Sequence, residues 1–351
     1  MTDTDITVVG GGIIGCLVAR TVLAAAPDAR LMVLDRDVVA SGASRRSAGL
    51  HFPRGATGRV RAMADFSQSF YTALLNNAPA LPIHPLDLHV LSADSSGVGR
   101  TYLPAAALTP VAGVPGGLVD VPAGTRVWTG RGCQYADVGT LTEALTRELR
   151  TRVSFREGTR VTAVEPGPAH VTLRLSTGRT ITSSHVVLAP GPWIADPAWR
   201  SLVAPLGARV KKIVALHIDR APTEHDGAIV FEDQDAFLLP LHHRGHWLFS
   251  YTCREWDVDP DRLTGGVGET DLDAALTCLS AYAPTLVEHA TSGRVFSDAY
   301  SPTREPLIRA LGNGRVVFAG AAGGSGYRLA PAIAAEAASL LDVTSGRRSA
   351  A

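Results

Sequence analysis

At 351 residues, with 46% hydrophobic and 19% charged side chains, the chain has material for more than one core and suggests two domains, or one domain with a large insertion. Lys plus Arg and Asp plus Glu balance at 33 each, which argues against the broad phosphate-neutralising surface of a nucleic-acid binder and makes a small molecule the expected ligand. The four cysteines, Cys16, Cys133, Cys253 and Cys278, show neither metal-like spacing nor a disulfide framework. The acidic start Met1-Thr2-Asp3-Thr4-Asp5 leaves no room for a signal peptide, and no apolar stretch reaches the roughly 18 residues of a membrane span. The expectation is a cytoplasmic protein.

Ile6-Thr7-Val8-Val9 reads as a short β-branched strand feeding glycines at 10, 12 and 15, and Leu31-Met32-Val33-Leu34 ends a second strand at Asp35, 20 positions beyond the third glycine. This is the layout of a dinucleotide-binding βαβ unit. Gly10 serves the tight turn, Gly12 lets backbone approach a pyrophosphate, and Gly15 lets helix pack on strand. Ile13 and Ile14 open the helix whose free N–H groups face the phosphates, and Asp35, followed by Arg36, can accept both hydrogen bonds of a ribose diol.

The segment from Ser41 to His51 is small, polar and basic, an ordered loop with something anionic against it; Ser41, Gly42, Ala43, Ser44, Arg45, Arg46, Gly49 and Leu50 are its candidate cofactor contacts. Helical spacing returns from Val60 to Leu75, with Met63, Phe66, Phe70, Leu74 and Leu75 on the inward face. Three prolines between Ala78 and Pro85 mark a crossing into another domain, and 103–124 reads as a long loop or short strands, with a lid as one role.

Thr140 and Glu143 have the capping-box spacing and predict a helix from that point with Leu141, Leu145 and Leu149 facing inward. Short strands are expected at 161–164, 171–175 and 180–183. The apolar Val186-Val187-Leu188-Ala189, stopping at Pro190-Gly191-Pro192-Trp193, suits the centre of a parallel sheet. Strands at 213–218, 228–231, 236–239 and 247–251, with a turn at His242-His243-Arg244-Gly245, predict a mainly antiparallel sheet. The last strand, Val316 to Ala319, runs into a second glycine cluster, and Pro331 opens a final Ala-rich helix to about Leu341. No internal repeat is present.

Two glycine-rich strand-to-helix turns, about 300 residues apart, invite one long ligand between them. On Val8 to Gly15 with Asp35, on Gly42-Ala43-Ser44-Arg45, on Val186 to Trp193, and on Phe318-Ala319-Gly320 with Gly326 to Ala332, the chain resembles the D-amino-acid oxidase superfamily of FAD enzymes. It is most similar to the glycine oxidase and sarcosine oxidase branch, colinearly over most of its length. The resemblance implies an α/β fold: a discontinuous Rossmann-like FAD-binding domain (1–80, 137–202 and 298–345) with a second, antiparallel-sheet substrate domain (81–136 and 203–297). It also implies FAD-dependent oxidation of the C–N bond of a small amino acid or secondary amine, the Cα hydride passing to flavin N5 and the imine being hydrolysed. The resemblance places Val161, Ala189, Gly191 and Trp193 with the cofactor, and Gly323, Gly324, Ser325, Gly326, Tyr327 and Arg328 are the expected contacts at the second cluster. The alternatives are a 2-hydroxy-acid dehydrogenase on the same fold and a nucleotide-binding regulatory protein without turnover.

The substrate carboxylate calls for a planar guanidinium fork. Arg328 follows the glycine turn where sarcosine oxidases place a cationic residue, against the reading of a surface arginine; Arg304 is second, against a local ion pair with Glu305. Glycine oxidases carry an arginine where this chain has Tyr300, which argues against plain glycine or sarcosine as substrate. His51 falls where the family's chain passes under the flavin, with a structural histidine the equal alternative, and Tyr251 ends a strand of the implied roof, with core packing the alternative. Asp298 stands where sarcosine oxidases attach flavin to cysteine, and Trp247-Leu248 where they use a lysine for oxygen activation. Non-covalent FAD is therefore expected, with oxygen or another acceptor left open. His242, His243 and His246 alternate sides on an extended segment without carboxylate partners, and no metal is expected. No Gly-x-Ser-x-Gly elbow supports a hydrolase.

Overall fold

The computed structural model describes residues 2–263 and 266–341, and it divides into two units. The first comprises Met1–Ser47, Val138–Val210 and the chain from Asp298, the second Ala48–Asp137 and Lys211–Ser297. Residues 48–80 and 137 thus belong to the second unit rather than the first, and 203–210 to the first rather than the second. The cause is hydrogen bonding that composition does not display. Leu50 and His51 pair antiparallel with Tyr135 and Gln134, Gly55 N–H donates to Thr101, and Leu103 N–H donates to Pro53. The end of the expected FAD domain, 342–345, lies outside the described residues.

The first unit is built on an eight-stranded sheet whose core order is Leu307–Leu311, Val316–Gly320, Thr180–Leu188, Thr4–Val9, Leu31–Leu34 and Val153–Arg156. Strand 180–188 joins what the sequence divided in two: 180–183 pairs antiparallel with Val171–Leu175, and 186–188 then pairs parallel with 4–9 on one side and 316–320 on the other. Val186, Val187 and Leu188 are fully buried there, flanked on both edges as an all-apolar strand requires. The helix Ile13–Ala25 crosses between the first two strands and packs against the last helix, Gly326–Ser339, and against Val138–Leu149.

Three helices differ from expectation. Val138–Leu149 starts two residues before Thr140, so no capping box forms and Glu143 instead ion-pairs with Arg45; Leu141, Leu145 and Leu149 are buried as the spacing predicts. Gly326–Ser339 starts five residues before Pro331, which sits inside it. In the second unit, Gly58–Asn77 is capped by the Thr57 hydroxyl, which accepts from Val60 N–H at 3.2 Å. Its buried face holds Val60, Met63, Ser67, Tyr71 and Leu74, leaving Phe66 49% exposed.

The second unit carries a nine-stranded, mainly antiparallel sheet in the order Ala290–Tyr300, Arg209–Ile218, His246–Tyr251, Ala236–Leu241, Ala228–Phe231, Ile83–Ser92, Arg126–Ala136 and Leu50–His51, with Thr109–Val111 paired to 126–136. Strand alternation gives it two apolar faces. Leu216, Ile218, Trp247 and Phe249 pack with Ala275 and Leu279 of the helix Glu269–Ser280, while Ala215, Leu239 and Leu248 pack with Tyr102, Trp128 and Tyr135. All four cysteines are free thiols, and no helix among the described residues is long and apolar enough to cross a membrane.

Candidate cofactor site and active site

A single cleft runs along the carboxyl ends of four adjacent parallel strands of the first unit, where open α/β sheets bind ligands. Asp35, Arg36 and Asp37 follow strand 31–34, Gly10 to Gly15 follow 4–9, Ala189 to Trp193 follow 180–188, and Gly320 to Gly324 follow 316–320. At the strand spacing of a sheet the cleft spans about 14 Å from the first of these to the last.

At the first end, the Asp35 carboxylate accepts from Gly11 N–H at 2.7 Å and from Asp37 N–H at 2.8 Å. Burial pushes the carboxyl above the ordinary aspartate range, and these two backbone bonds work in the opposite direction. The acid is thereby held in one orientation at this end of the cleft. Arg36 lays its guanidinium 4.2 Å over the Trp193 ring, forming a flat wall.

In the middle, Gly10 has φ +108, and a Cβ there would collide with the Ala189 carbonyl oxygen; one on Gly15 would collide with the Gly10 carbonyl oxygen. Helix 13–25 begins at Gly12 without a side-chain cap, so its first-turn amides, except Ile13 N–H on Ser44 Oγ at 3.0 Å, are left for an anion. At the far end the last helix also begins without a side-chain cap, and its first residues, Gly326 and Tyr327, line the cleft. Gly323 has φ +55, and a Cβ on it would sit 2.5 Å from the Tyr300 ring, so the turn packs directly on that aromatic face.

Of the expected cofactor contacts, Gly10, Gly12, Ile13, Ile14, Gly15, Asp35, Arg36, Ser41, Gly42, Ala43, Ser44, Val161, Ala189, Gly191, Trp193, Gly323, Gly324, Gly326 and Tyr327 line the cleft. Arg45, Arg46, Ser325 and Arg328 lie in the same unit but outside the lining, and Gly49 and Leu50 belong to the second unit. Lining residues without a motif to announce them include Asp37, Ala40, Ser47, Val138, Thr159, Arg160 and Asp196, and Asp298 lines it too. Asp196 is held by Arg160 at 2.8 Å and accepts from Ala198 N–H at 2.9 Å. Asp298 had a signal: the family resemblance puts it where sarcosine oxidases attach flavin to cysteine.

The substrate candidates divide as follows. Arg328 is 7% exposed and donates to Ser325 Oγ at 2.7 Å, and Tyr300 bridges backbone to backbone with Ala322. Arg304 is exposed, in a turn closed by Ser301 Oγ on the Glu305 carbonyl at 2.6 Å. In the second unit, His51 is fully buried, its Nε2 2.7 Å from Gln68 Oε1 and its ring edge-on to Tyr71. Tyr251 packs on the helix-covered face beside Val214, Cys253 and Val295, where burial pushes its hydroxyl up to about 12. His242, His243 and His246 go to three different partners: the Asp226 carbonyl, Tyr135 Oη and the His217 ring. Among the described residues Cys253, Glu255 and Asp271 cluster as cation ligands would, and the Lys212 ammonium lies 2.8 Å from both carboxylates, supplying the positive charge there.

An acid suited to a ribose, one helix start suited to a pyrophosphate and a second helix start about 10 Å further define a flavin-dinucleotide-binding α/β protein. The chain belongs to the DAO family of FAD dependent oxidoreductases, whose model matches residues 5–340. It is an oxidoreductase, and its cofactor is FAD. No curated protein matches the sequence. Among solved structures, L-proline dehydrogenase from P. horikoshii is similar at 15% identity and TM-score 0.81, with 97% of this chain and 94% of that one covered. Glycine oxidase from Geobacillus kaustophilus is similar at 17% and 0.79, covering 97% and 95%. L-alpha-glycerophosphate oxidase from Mycoplasma pneumoniae, with FAD bound, is similar at 16% and 0.79, covering 96% and 94%. These identities establish a shared fold.

Proposed function

We propose that this enzyme oxidises the C–N bond of a small amino acid or N-substituted amino acid, with FAD held non-covalently in the cleft. The observation that carries the reading is the pair Arg328 and Tyr300 at the glycine turn. One is a nearly buried guanidinium tethered to Ser325, the other an aromatic hydroxyl whose ring lies against Gly323. A fork and a hydroxyl at one turn are the donors a carboxylate recruits. When bound, FAD supplies the two-electron acceptor for the substrate Cα hydride. The chain's own contribution is to hold the carboxylate so that Cα is presented in one orientation; the imine released is then hydrolysed by water. The reading rests on Arg328 and Tyr300 and does not use His51, Tyr251 or the exposed Arg304.

Two of the structurally similar proteins are named for amino-acid substrates, glycine and L-proline, which supports C–N chemistry. The third is named for glycerophosphate, and a guanidinium serves a 2-hydroxy acid equally well, so oxidation of a C–OH bond on the same site is the second reading. Anaerobic bleaching of the flavin band separates them. The expected result is bleaching by amino acids or N-alkyl amino acids and not by the matching 2-hydroxy acids or by the same amines lacking the carboxylate. Bleaching by the hydroxy-acid panel alone overturns the C–N reading, and indifference to the carboxylate overturns the role of Arg328.

A further inference from the structure

Asp298 lines the FAD cleft as the only acidic residue at its glycine-turn end among the described residues. It lies near the end of strand Ala290–Tyr300, two residues before Tyr300, and residues two apart on a strand point to the same side. The antiparallel bridge of Tyr300 to Ala322 carries residue 298 toward Gly324, beside the turn on which the Tyr300 ring rests. The surrounding lining is carbon and backbone: Ala299, Gly320, Ala321 and Ala322. Because Asp35 and the start of the first helix take the ribose and pyrophosphate, the remaining length of the cleft, toward 316–320, is where the flavin ring must lie.

We propose that Asp298 couples proton uptake to reduction of the bound FAD, making this carboxyl the group through which pH sets how easily the cofactor is reduced.

The physical basis is a charge balance at close range. Reduction adds negative charge to the flavin, and a carboxylate beside it opposes that addition, whereas a neutral carboxyl does not. When Asp298 is ionised, arrival of an electron pair on the flavin therefore draws a proton from solvent onto the carboxylate, converting –COO⁻ to –COOH. No bond other than that O–H is made at the residue. Burial alone pushes the Asp298 carboxyl up to about 7, which brings its ionisation into the neutral range. Asp298 is mostly buried, and the part of it that lines the cleft is surface the cofactor covers on binding.

The titratable and charged groups around it do not compensate. From its own strand the neighbour is Tyr300, from the last helix Tyr327 and Arg328, and from the rest of the lining Asp35, Arg36, Asp37, Arg160 and Asp196; the adjoining strand 209–218 carries Arg209, Lys211 and Lys212, of which Lys211 lies over the Trp256 ring and Lys212 pairs with Glu255 and Asp271, and burial is the cause of the Asp298 shift. The five charged lining groups follow other strands, and two of them neutralise one another as the Arg160–Asp196 pair.

The test is the midpoint potential of the FAD-bound enzyme, measured against a reference dye from pH 5.5 to 8.5, in the native protein, in D298N and in D298S. The native potential should fall more steeply with pH above neutrality, corresponding to about one further proton taken up per electron pair, and the extra slope should vanish in both variants while the flavin band is retained. A second readout uses the oxidised protein alone: the FAD dissociation constant should rise by roughly tenfold between pH 6 and pH 8.5 in the native protein and by less than about twofold in the variants. A native potential with one unbroken slope, or the same break in D298N or D298S as in the native enzyme, overturns the proposal. If D298N does not fold, D298S decides. Because neither readout uses substrate, the outcome is independent of which bond the enzyme oxidises.

Discussion

The two units solve opposite problems with the same material. The first leaves the carboxyl edge of its parallel sheet open and lines it with backbone, so that glycine amides and two uncapped helix starts face the cleft. The second covers both faces of its sheet with apolar side chains and gathers histidines there, including the stacked His84, Tyr135 and His243 and the neighbouring His217 and His246. Backbone geometry therefore governs the first and side-chain volume and charge the second. Substitutions can be chosen that separate these two kinds of dependence.

The largest effect is expected where a side chain is added to the cleft's backbone. Gly15→Val puts carbon onto the Gly10 carbonyl oxygen, a backbone atom held between two strands, and should cost about 4 kcal/mol or more with loss of the flavin absorption band. Gly178→Ala is the control. It has positive φ, +78, which Gly15 does not, but stands in a turn with open space around it, and should cost only about 1 kcal/mol while FAD binding is unchanged. Chemical denaturation and FAD titration of both variants read the difference. A Gly15→Val protein that binds FAD normally would show that the close helix–strand approach is dispensable.

Removing an indole from each unit comes next. Trp247 is 1% exposed within the second unit's core, and Trp247→Ala should destabilise by about 3–5 kcal/mol. Trp193 is half-buried, lies against Arg36 and Gly42, and lines the cleft; Trp193→Ala should weaken FAD by roughly tenfold with a far smaller loss of stability. If the two variants lose stability equally, the distinction between a packed and a ligand-lined tryptophan fails.

What the sequence revealed and what it hid follow the same division. Gly10, Gly12, Gly15 and Asp35 were legible because a turn at φ +108 and a helix pressed onto a carbonyl admit no other residue, so local chemistry fixes position. The all-apolar 186–188 announced its place between two strands for a similar reason. The assignment of 48–80 was not legible, because it depends on Leu50 and His51 pairing with residues more than 80 positions away, while the three prolines at 79–85 looked like a boundary. Helix 58–77 turns Tyr71 and Ser67 inward and Phe66 outward, a rotation that hydrophobicity alone misjudges because an amphipathic ring and a small hydroxyl fit the core. The start at Gly326 was hidden by Pro331, whose missing N–H is tolerated inside the helix although the residue type signals a first turn. Asp37 and Asp196 reach the cleft from two separate loops that only the sheet order brings together, whereas Asp298, which the resemblance places at the flavin, arrives through the Tyr300 to Ala322 bridge.

Proton concentration should act on the two units with opposite sign. Burial holds His84, His217, His243 and His246 below the ordinary histidine range, His217 down to about 4, with Arg244, Arg294 and His242 lowering members of the group and Asp137 and Asp219 opposing. Between about pH 4 and 6.5 the unfolded chain thus binds more protons than the folded one, so this stability is complete above pH 6.5 and is lost as pH falls through that window. Asp298 is raised, so the folded chain binds more protons than the unfolded between about pH 4 and 7, and its contribution is lost as pH rises. Acidification from pH 7 to 5 should lower Tm by roughly 2–4 °C, His217→Gln should flatten that limb, and D298N should raise Tm only on the alkaline side. An acid limb unaffected by His217→Gln would place the acid sensitivity elsewhere.

The smallest effects test where strain is held. Ala107 and Ala321 both adopt left-handed backbone, φ 47 and φ 50, which costs an L-residue about 1 kcal/mol relative to glycine. Ala107 is exposed at the end of a 3₁₀ turn in the second unit, so Ala107→Gly relieves the strain without removing a contact and should stabilise by about 0.5 kcal/mol after the added chain entropy is set against it. Ala321 is 4% exposed in the glycine turn of the cleft, and there the same substitution also removes a buried methyl worth about 1 kcal/mol, leaving stability unchanged or slightly lower. FAD affinity should then stay within about twofold of native, because Ala321 is held by the sheet on one side and the Tyr300 to Ala322 bridge on the other. A large loss of affinity in Ala321→Gly, with Tm unchanged, would mean instead that the methyl group itself fixes the turn against the cofactor.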